Sequence, residues 1–342
     1  MARPRPSTKV GIRRVADEAS VSIATVSRVV SGRGPVNEDT RVRVQRVVER
    51  LGYLPSASAR SLRTSRTMIV GVLVPDLSNP VFVPFLRGVQ QVAQAEGYSV
   101  LVVDAQRSAS IERRALDRLA EQRVDALVLA GTARDPERID ELVRAGMAVV
   151  DGRDRARPSR SRIADLESPG TVAMCEALAT LGHRRIGFVS RGGSLGDAGR
   201  RRWELVRRTS RRLGVRAERI RVDAGASPDG VAGVLRGAIR RDDPVTALVC
   251  STHGLAPTLL GGMGAARILV PDTCSFVTYG DSEWALAYRP AIGVVTMDLF
   301  SLASVMTRRL IAALRGEPES DPDVEPEPAR FIARDSVRAA PA

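Results

Sequence analysis

From Met68 onward the chain alternates short, unbroken apolar runs with segments of helical period, and this rhythm restricts the fold of its 342 residues more than any other feature. MIVGVLVP at 68–75, SVLVVD at 99–104 and ALVLA at 126–130 are too short and too uniformly apolar to be amphipathic helices. They read as strands covered on both faces. Helical segments separate them: Pro80–Glu96, with Pro80 suited to the first turn and Gly97-Tyr98 ending it, then Ile111–Gln122 and Pro136–Arg144. With Ala148–Asp151 as the next strand, the pattern is that of a doubly wound parallel sheet.

A polar break, GRDRARPSR at 152–160, precedes a second round. Arg162–Asp165 reads as a strand crossing to a second lobe, followed by a helix from Ser168 to Leu181, a strand at Ile186–Ser190 and a very basic helix at Gly199–Leu213. Strands at Ile220–Asp223, Val245–Ser251 and Ser275–Tyr279 then alternate with helices at Pro228–Arg240 and Leu255–Ala265. Gly293–Met297 reads as a return strand and Leu299–Leu314 as the last helix, before the acidic GEPESDPDVEPEP and a short strand at Arg330–Ala333. Two α/β lobes of similar size imply a ligand cleft between them, at the C-terminal ends of the strands.

The first 66 residues are different in kind. Val15, Ala16 and Ala19 sit at helical spacing, Ser20-Val21-Ser22 breaks the run, and Ser22 is placed to cap a second helix with Val26, Val29 and Val30 inward. Ile23, Ala24, Thr25, Ser27 and Arg28 then include its outward, N-terminal side, the part that enters a major groove in helix-turn-helix proteins. Asn37 can cap a third helix packed through Val44, Val47, Val48 and Leu51, with Gly52 ending it. Residues 1–66 hold 13 Arg and 1 Lys against 5 acids, a net of +9 in a chain whose total is +13. Charge concentrated in this way is the footprint of a phosphate-binding head.

Composition removes other classes. The chain is 44 % hydrophobic and 27 % charged, as soluble globular proteins are, and no apolar run suffices to span a bilayer, so no membrane role is expected. The N-terminus lacks the apolar stretch of a secretory signal, which points to the cytoplasm. Cys175, Cys250 and Cys274 are too few and scattered for disulfides or zinc and read as small buried hydrophobes. Lys9 is the only lysine and His183 and His253 the only histidines. This leaves no phosphate-binding lysine or Schiff-base lysine in the body and rules out a multi-histidine metal centre. No cofactor, metal or catalytic residue is expected, and His183 between a helix and a strand reads as a turn or capping group.

VADEASVSIATVSRVVSGRGPVNEDTRVRVQRVVERLGYLPSASARSL, within a stretch that runs without a gap from Val10 to Leu62, resembles the DNA-binding head of the lactose-repressor (LacI/GalR) family of bacterial transcription regulators. The later segments SerAsnPro at 78–80, LeuGlyHisArgArgIle at 181–186, ValProAsp at 270–272 and ArgAspSer at 334–336 resemble that family's periplasmic-binding-protein-like core. The resemblance implies that Ile23, Ala24 and Arg28 read bases. It also implies that Ser22, Thr25 and Ser27 contact or cap near the DNA backbone, and that Pro55–Leu62, including Ser58, Ala59 and Arg60, forms a hinge whose Leu62 wedges into the minor groove. Arg13 and Asn37 complete the expected DNA-facing set. Two positions depart from the family: Gly11 replaces a capping Thr, and Arg14 replaces an acid.

The expected architecture is an all-α helix-turn-helix head (1–54), a hinge or linker (55–67), and an α/β core of two doubly wound lobes. The first lobe is 68–162 with 297–316, the second 163–296, and 317–342 is an acidic, Pro-rich loop and C-terminal segment. Expected effector-binding residues are Asp76, Asn79, Phe82 and Asp151 from the first lobe. From the second come Arg201, which the resemblance matches to the arginine that grips effector, with His253, Asp281 and Trp284. A bland reading stands beside this one, in which Asp76 and Asp151 cap helices and Phe82 is core. Thr252-His253 replaces the family's Asn-Asp, and Gly280-Asp281 lacks the first carboxylate of its pair, so an ordinary sugar effector is not implied. The seven arginines Arg200, Arg201, Arg202, Arg207, Arg208, Arg211 and Arg212 read either as a solvated helix face over Trp203, Val206 and Leu213 or as a second nucleic-acid surface. The resulting expectation is a homodimeric, sequence-specific regulator, a repressor of a near-palindromic double-stranded DNA operator, controlled by a small-molecule effector. The alternatives are an effector-blind regulator or activator and, more remotely, a sugar-binding protein or sugar-processing enzyme.

Overall fold

The computed structural model describes residues 10–32, 34–53, 66–130, 135–150, 153–154, 157–192, 197–223, 225–317 and 326–341. The chain divides into two compact units, Met1–Thr67 and Met68–Ala342.

In the first unit, α1 (Ile12–Glu18), α2 (Ile23–Ser31) and α3 (Glu38–Leu51) close over a core of Val15, Ala16, Ala19, Val26, Val29, Val44, Val47 and Tyr53. The Ser22 side chain accepts from the Thr25 amide at 3.1 Å and starts α2; Asn37 accepts from the Asp39 amide at 2.9 Å and starts α3. Each satisfies an amide that has no partner inside its helix. Gly52 ends α3 in the left-handed conformation, at φ 60°. Gly11 gives α1 no side-chain cap, and Arg14 pairs with Glu18 at 3.3 Å.

The second unit holds two sheets. In the first lobe β1 (Ile69–Val74), β2 (Ser99–Asp104), β3 (Ala126–Leu129) and β4 (Ala148–Val150) run parallel in the order β2-β1-β3-β4. They are connected by α4 (Phe82–Ala95), α5 (Ala109–Glu121) and α6 (Pro136–Arg144). In the second lobe the order is β12-β11-β10-β9-β7-β8. Its strands are β7 (Arg185–Arg191), β8 (Arg216–Val222), β9 (Ala247–Cys250), β10 (Ser275–Tyr279), β11 (Gly293–Thr296) and β12 (Arg330–Ile332), all parallel except β12 against β11. Its helices are α7 (Arg162–Thr180), α8 (Asp197–Arg212), α9 (Pro228–Ile239), α10 (Ala256–Ala265), reached through a 3-10 turn at His253–Leu255, and α11 (Glu283–Ala287).

The chain then returns. After β11, Met297 packs against the cores of both lobes, and α12 (Leu299–Arg315) buries Leu302, Ala303, Met306, Leu310 and Ile311 in the first lobe, beside α4. Gly88 of α4 makes this approach possible, because a Cβ there would stand 2.4 Å from the Phe300 carbonyl oxygen.

One expectation needs correction. Arg162–Asp165 is not a strand but the first turn of α7, and the segment before it forms an antiparallel pair, β5 (Arg153–Asp154) with β6 (Arg157–Ser161). Pro169 lies inside this helix, where it leaves the Asp165 carbonyl without its helical donor. His183 is fully buried and clamps the C-terminal segment, with Nδ1 2.9 Å from Thr246 Oγ1 and Nε2 donating to the Arg338 carbonyl at 3.0 Å. The three cysteines are free and buried, and burial pushes the Cys250 thiol up to about 11. Among the described residues no helix is long and apolar enough to cross a membrane.

Candidate nucleic-acid interface and lobe junction

The inward valines Val26 and Val29 orient α2 so that Ser22, Ile23, Ala24 and Arg28 face solvent, while Thr25 and Ser27 are half-buried. Ile23 is 43 % exposed at the first helical position, an apolar side chain placed for contact with something other than its own core. The Ser22 and Thr25 hydroxyls lie 2.9 Å apart and form a small polar edge beside it. Arg14 and Arg50 pair with Glu18, and Arg41 with Glu38. Arg13, Arg28, Arg43 and Arg46 are exposed and have no carboxylate partner among the described residues. Asn37 is exposed and occupied in capping. Ser58, Ala59, Arg60 and Leu62 lie outside the described residues.

The second candidate site is where the lobes meet. Asn79 is buried beside Gly254, its Cβ 3.7 Å from the position a Gly254 Cβ would take. Val81 packs against Gly280 so closely that a Cβ there would lie 2.5 Å from Val81 Cγ2. His253 is buried, stacks on Trp284 with ring centroids 4.6 Å apart, and lies 2.7 Å from Ser282 Oγ through Nε2. Burial lowers its pKa to about 4, although Asp281 nearby works in the opposite sense. Asp281 itself is held by Arg334, at 2.6 and 2.9 Å.

The structure thus brings Asn79, His253, Asp281 and Trp284 together. Asp76 is spent locally, accepting from the Ser78 amide and hydroxyl and facing Arg107 at 3.7 Å. Phe82 packs against the core of the first lobe, and Asp151 lies outside the described residues. Arg201 lines a cavity between α7 and α8. Its neighbour Arg202 turns inward: it forks onto Glu167 at 2.5 and 2.9 Å, donates to the Ser251 carbonyl at 2.8 Å and stacks 4.3 Å over Tyr279. Arg191, which sequence reasoning missed, donates to the Gly254 carbonyl at 3.2 Å, while its Nε and the Thr252 hydroxyl are buried without partners among the described residues. The signal was available, since Arg191 ends β7 at the side of the sheet where ligands bind.

A three-helix head with an outward-facing second helix and unpaired arginines, preceding two α/β lobes crossed by the chain, defines a DNA-binding regulator with a ligand-binding type of body. Comparisons with known proteins agree. Residues 11–56 match the model described as bacterial regulatory proteins, lacI family; residues 67–213 match periplasmic binding proteins and sugar binding domain of LacI family; residues 175–337 match periplasmic binding protein-like domain. The chain is 28 % identical to catabolite control protein A of Priestia megaterium over 336 residues, 96 % of this chain and 99 % of that one. It is also 28 % identical to the transcriptional repressor PurR of Photobacterium profundum, over 83 % of this chain and 86 % of that one. Among solved structures, the lac repressor dimer bound to operator and the anti-inducer ONPF shares the fold, with a TM-score of 0.79 at 22 % identity, covering 97 % of this chain and all of that one. The chain belongs to the LacI family and is a DNA-binding transcriptional regulator.

Proposed function

We propose that the chain is a homodimeric, cytoplasmic repressor, and not an enzyme, that reads a near-palindromic operator through α2 and is controlled by a small molecule at the lobe junction. The presentation of Ser22, Ile23, Ala24 and Arg28 on one exposed edge carries the DNA reading. Two-fold symmetry in the protein calls for two-fold symmetry in the operator. The edge strand β2 exposes Leu101 and Val102, an apolar strip suited to a second copy. By family resemblance Ser58, Ala59, Arg60 and Leu62 belong to a hinge that bends the DNA. Selection of binding sites from a random DNA pool tests this. The expected result is a symmetric consensus, with Arg28→Ala relaxing preference at one base position while changing the salt dependence little; a pool without enrichment refutes the reading.

The Arg191 Nε and Thr252 hydroxyl, buried without partners among the described residues, favour a polar ligand at the junction. Direct packing of Val81 on Gly280 favours a second reading, a regulator that has closed this junction on itself and answers to no ligand there. Calorimetry against a panel of sugars and nucleobases separates the two, since the closed form takes up none of them.

A further inference from the structure

The arginines of the basic helix α8 are not equivalent, and Arg202 reaches the strand ends, through the Ser251 carbonyl. One side is core: Val206 is fully buried, and Trp203 packs on Phe188 with ring centroids 5.6 Å apart. Arg202 belongs to that side and is neutralised by Glu167. Arg207, Arg208 and Arg211 are exposed, and among the described residues none has a carboxylate partner. Arg211 stands four residues from Arg207 and three from Arg208, so their charges repel along the helix, and an isolated helix loses stability through such pairs.

These three arginines, with Arg201, line a cavity of about 480 Å³ whose other wall carries the hydroxyl residues Ser168 and Thr171 of α7. The lining holds five arginines against two glutamates, Glu167 and Glu204, and Glu167 is already committed to Arg202. The volume falls within the ~300–1,000 Å³ of small-ligand sites. It is far too small for a duplex, which would need a broad surface strip. Guanidinium forks match phosphate oxygens in pairs, and several converging forks ask for more than one negative charge.

We propose that the groove between α7 and α8 binds a small molecule carrying two or more linked phosphates, at a site separate from the lobe junction. The site takes its charge from Arg207, Arg208 and Arg211, with Ser168 on the opposite wall; the buried Thr171 hydroxyl is committed to the Glu167 carbonyl and to Tyr279. It does not rest on the junction having a ligand.

The full chain is titrated calorimetrically with inorganic tripolyphosphate and, separately, with adenosine triphosphate, at fixed ionic strength and without divalent metal. Saturable binding of one ligand per chain is expected. It should fall at least tenfold in the double variant Arg208→Ala/Arg211→Ala, whose exposed positions tolerate alanine, and stay within twofold in the head variant Arg43→Ala/Arg46→Ala. Binding of both ligands assigns recognition to the phosphate chain, and binding of adenosine triphosphate alone adds a contact to the nucleoside. The proposal is overturned if neither ligand saturates, if the α8 variant titrates like the parent chain, or if the head variant alone loses binding.

Discussion

The head and the lobe junction treat their charges in opposite ways. On the head, Arg13, Arg28, Arg43 and Arg46 stay exposed without carboxylate partners among the described residues, and Ile23 stands outside the core. In the body, Asp281 is forked by Arg334, Glu167 by Arg202, and Asp76 is turned onto its own loop. A surface that must bind phosphates gains from arginines its own chain does not neutralise. A junction that must hold two lobes in register gains from pairs that satisfy each other, because an unpaired buried charge is heavily penalised. The head is built for a partner, whereas the junction is largely satisfied internally.

Breaking the internal pairing should have the largest effect. Arg202→Met leaves the half-buried Glu167 without its cation, and a loss of about 2–4 kcal/mol is expected in urea unfolding of the body. If the variant unfolds within about 1 kcal/mol of the parent, the pair is not what organises this end of the lobe.

A smaller effect follows from His253. Its pKa is about 4 in the folded chain against roughly 6.5 when unfolded, so the unfolded state binds the proton first as pH falls. Stability is therefore lost on acidification between about pH 6.5 and pH 4, by about 3 kcal/mol at most. His183, also lowered by burial, acts with the same sign. His253→Gln should flatten the stability profile over that window; a slope unchanged from the parent places the acid sensitivity elsewhere.

Gly280→Ala sharpens the comparison at the contact between lobes. The new Cβ meets Val81 and is forced into φ 91°, so a loss of about 2–3 kcal/mol is expected, with Val81→Ala restoring only the steric share. Equal stability of single and double variants would mean that Val81 is not the obstacle. On the head, Ser22→Ala removes the cap of α2, with a cost of about 1 kcal/mol that should appear as faster amide exchange in that helix.

Much of this was legible in the sequence because it is local. Ser22, Asn37 and Gly52 announced helix ends through their own chemistry, and the apolar runs at 69–74 and 126–129 announced strands through their uniformity. The helix at Pro136–Arg144 follows from Asp135 capping it and Pro136 opening it. Pro169 runs against the same rule, since it lies inside α7 and does not open it.

The candidate site was legible only in outline. His253, Asp281 and Trp284 could be named from strand ends, but that His253 stacks on Trp284, or that Arg334 holds Asp281, depends on segments tens of residues apart. The arginine expected to grip a ligand was Arg201, and the one turned onto the strand ends is Arg202. One helical step rotates a side chain by about 100°, so the phase of α8 on its sheet, set by Val206 and Trp203, decided between them.

By itself, then, the sequence determined the order of the elements, their ends and the concentration of charge in the head, all of which follow from a few neighbouring residues at a time. Only the tertiary structure decided which charges are neutralised and which are left outward, because pairing depends on distances between segments that the chain brings together only on folding.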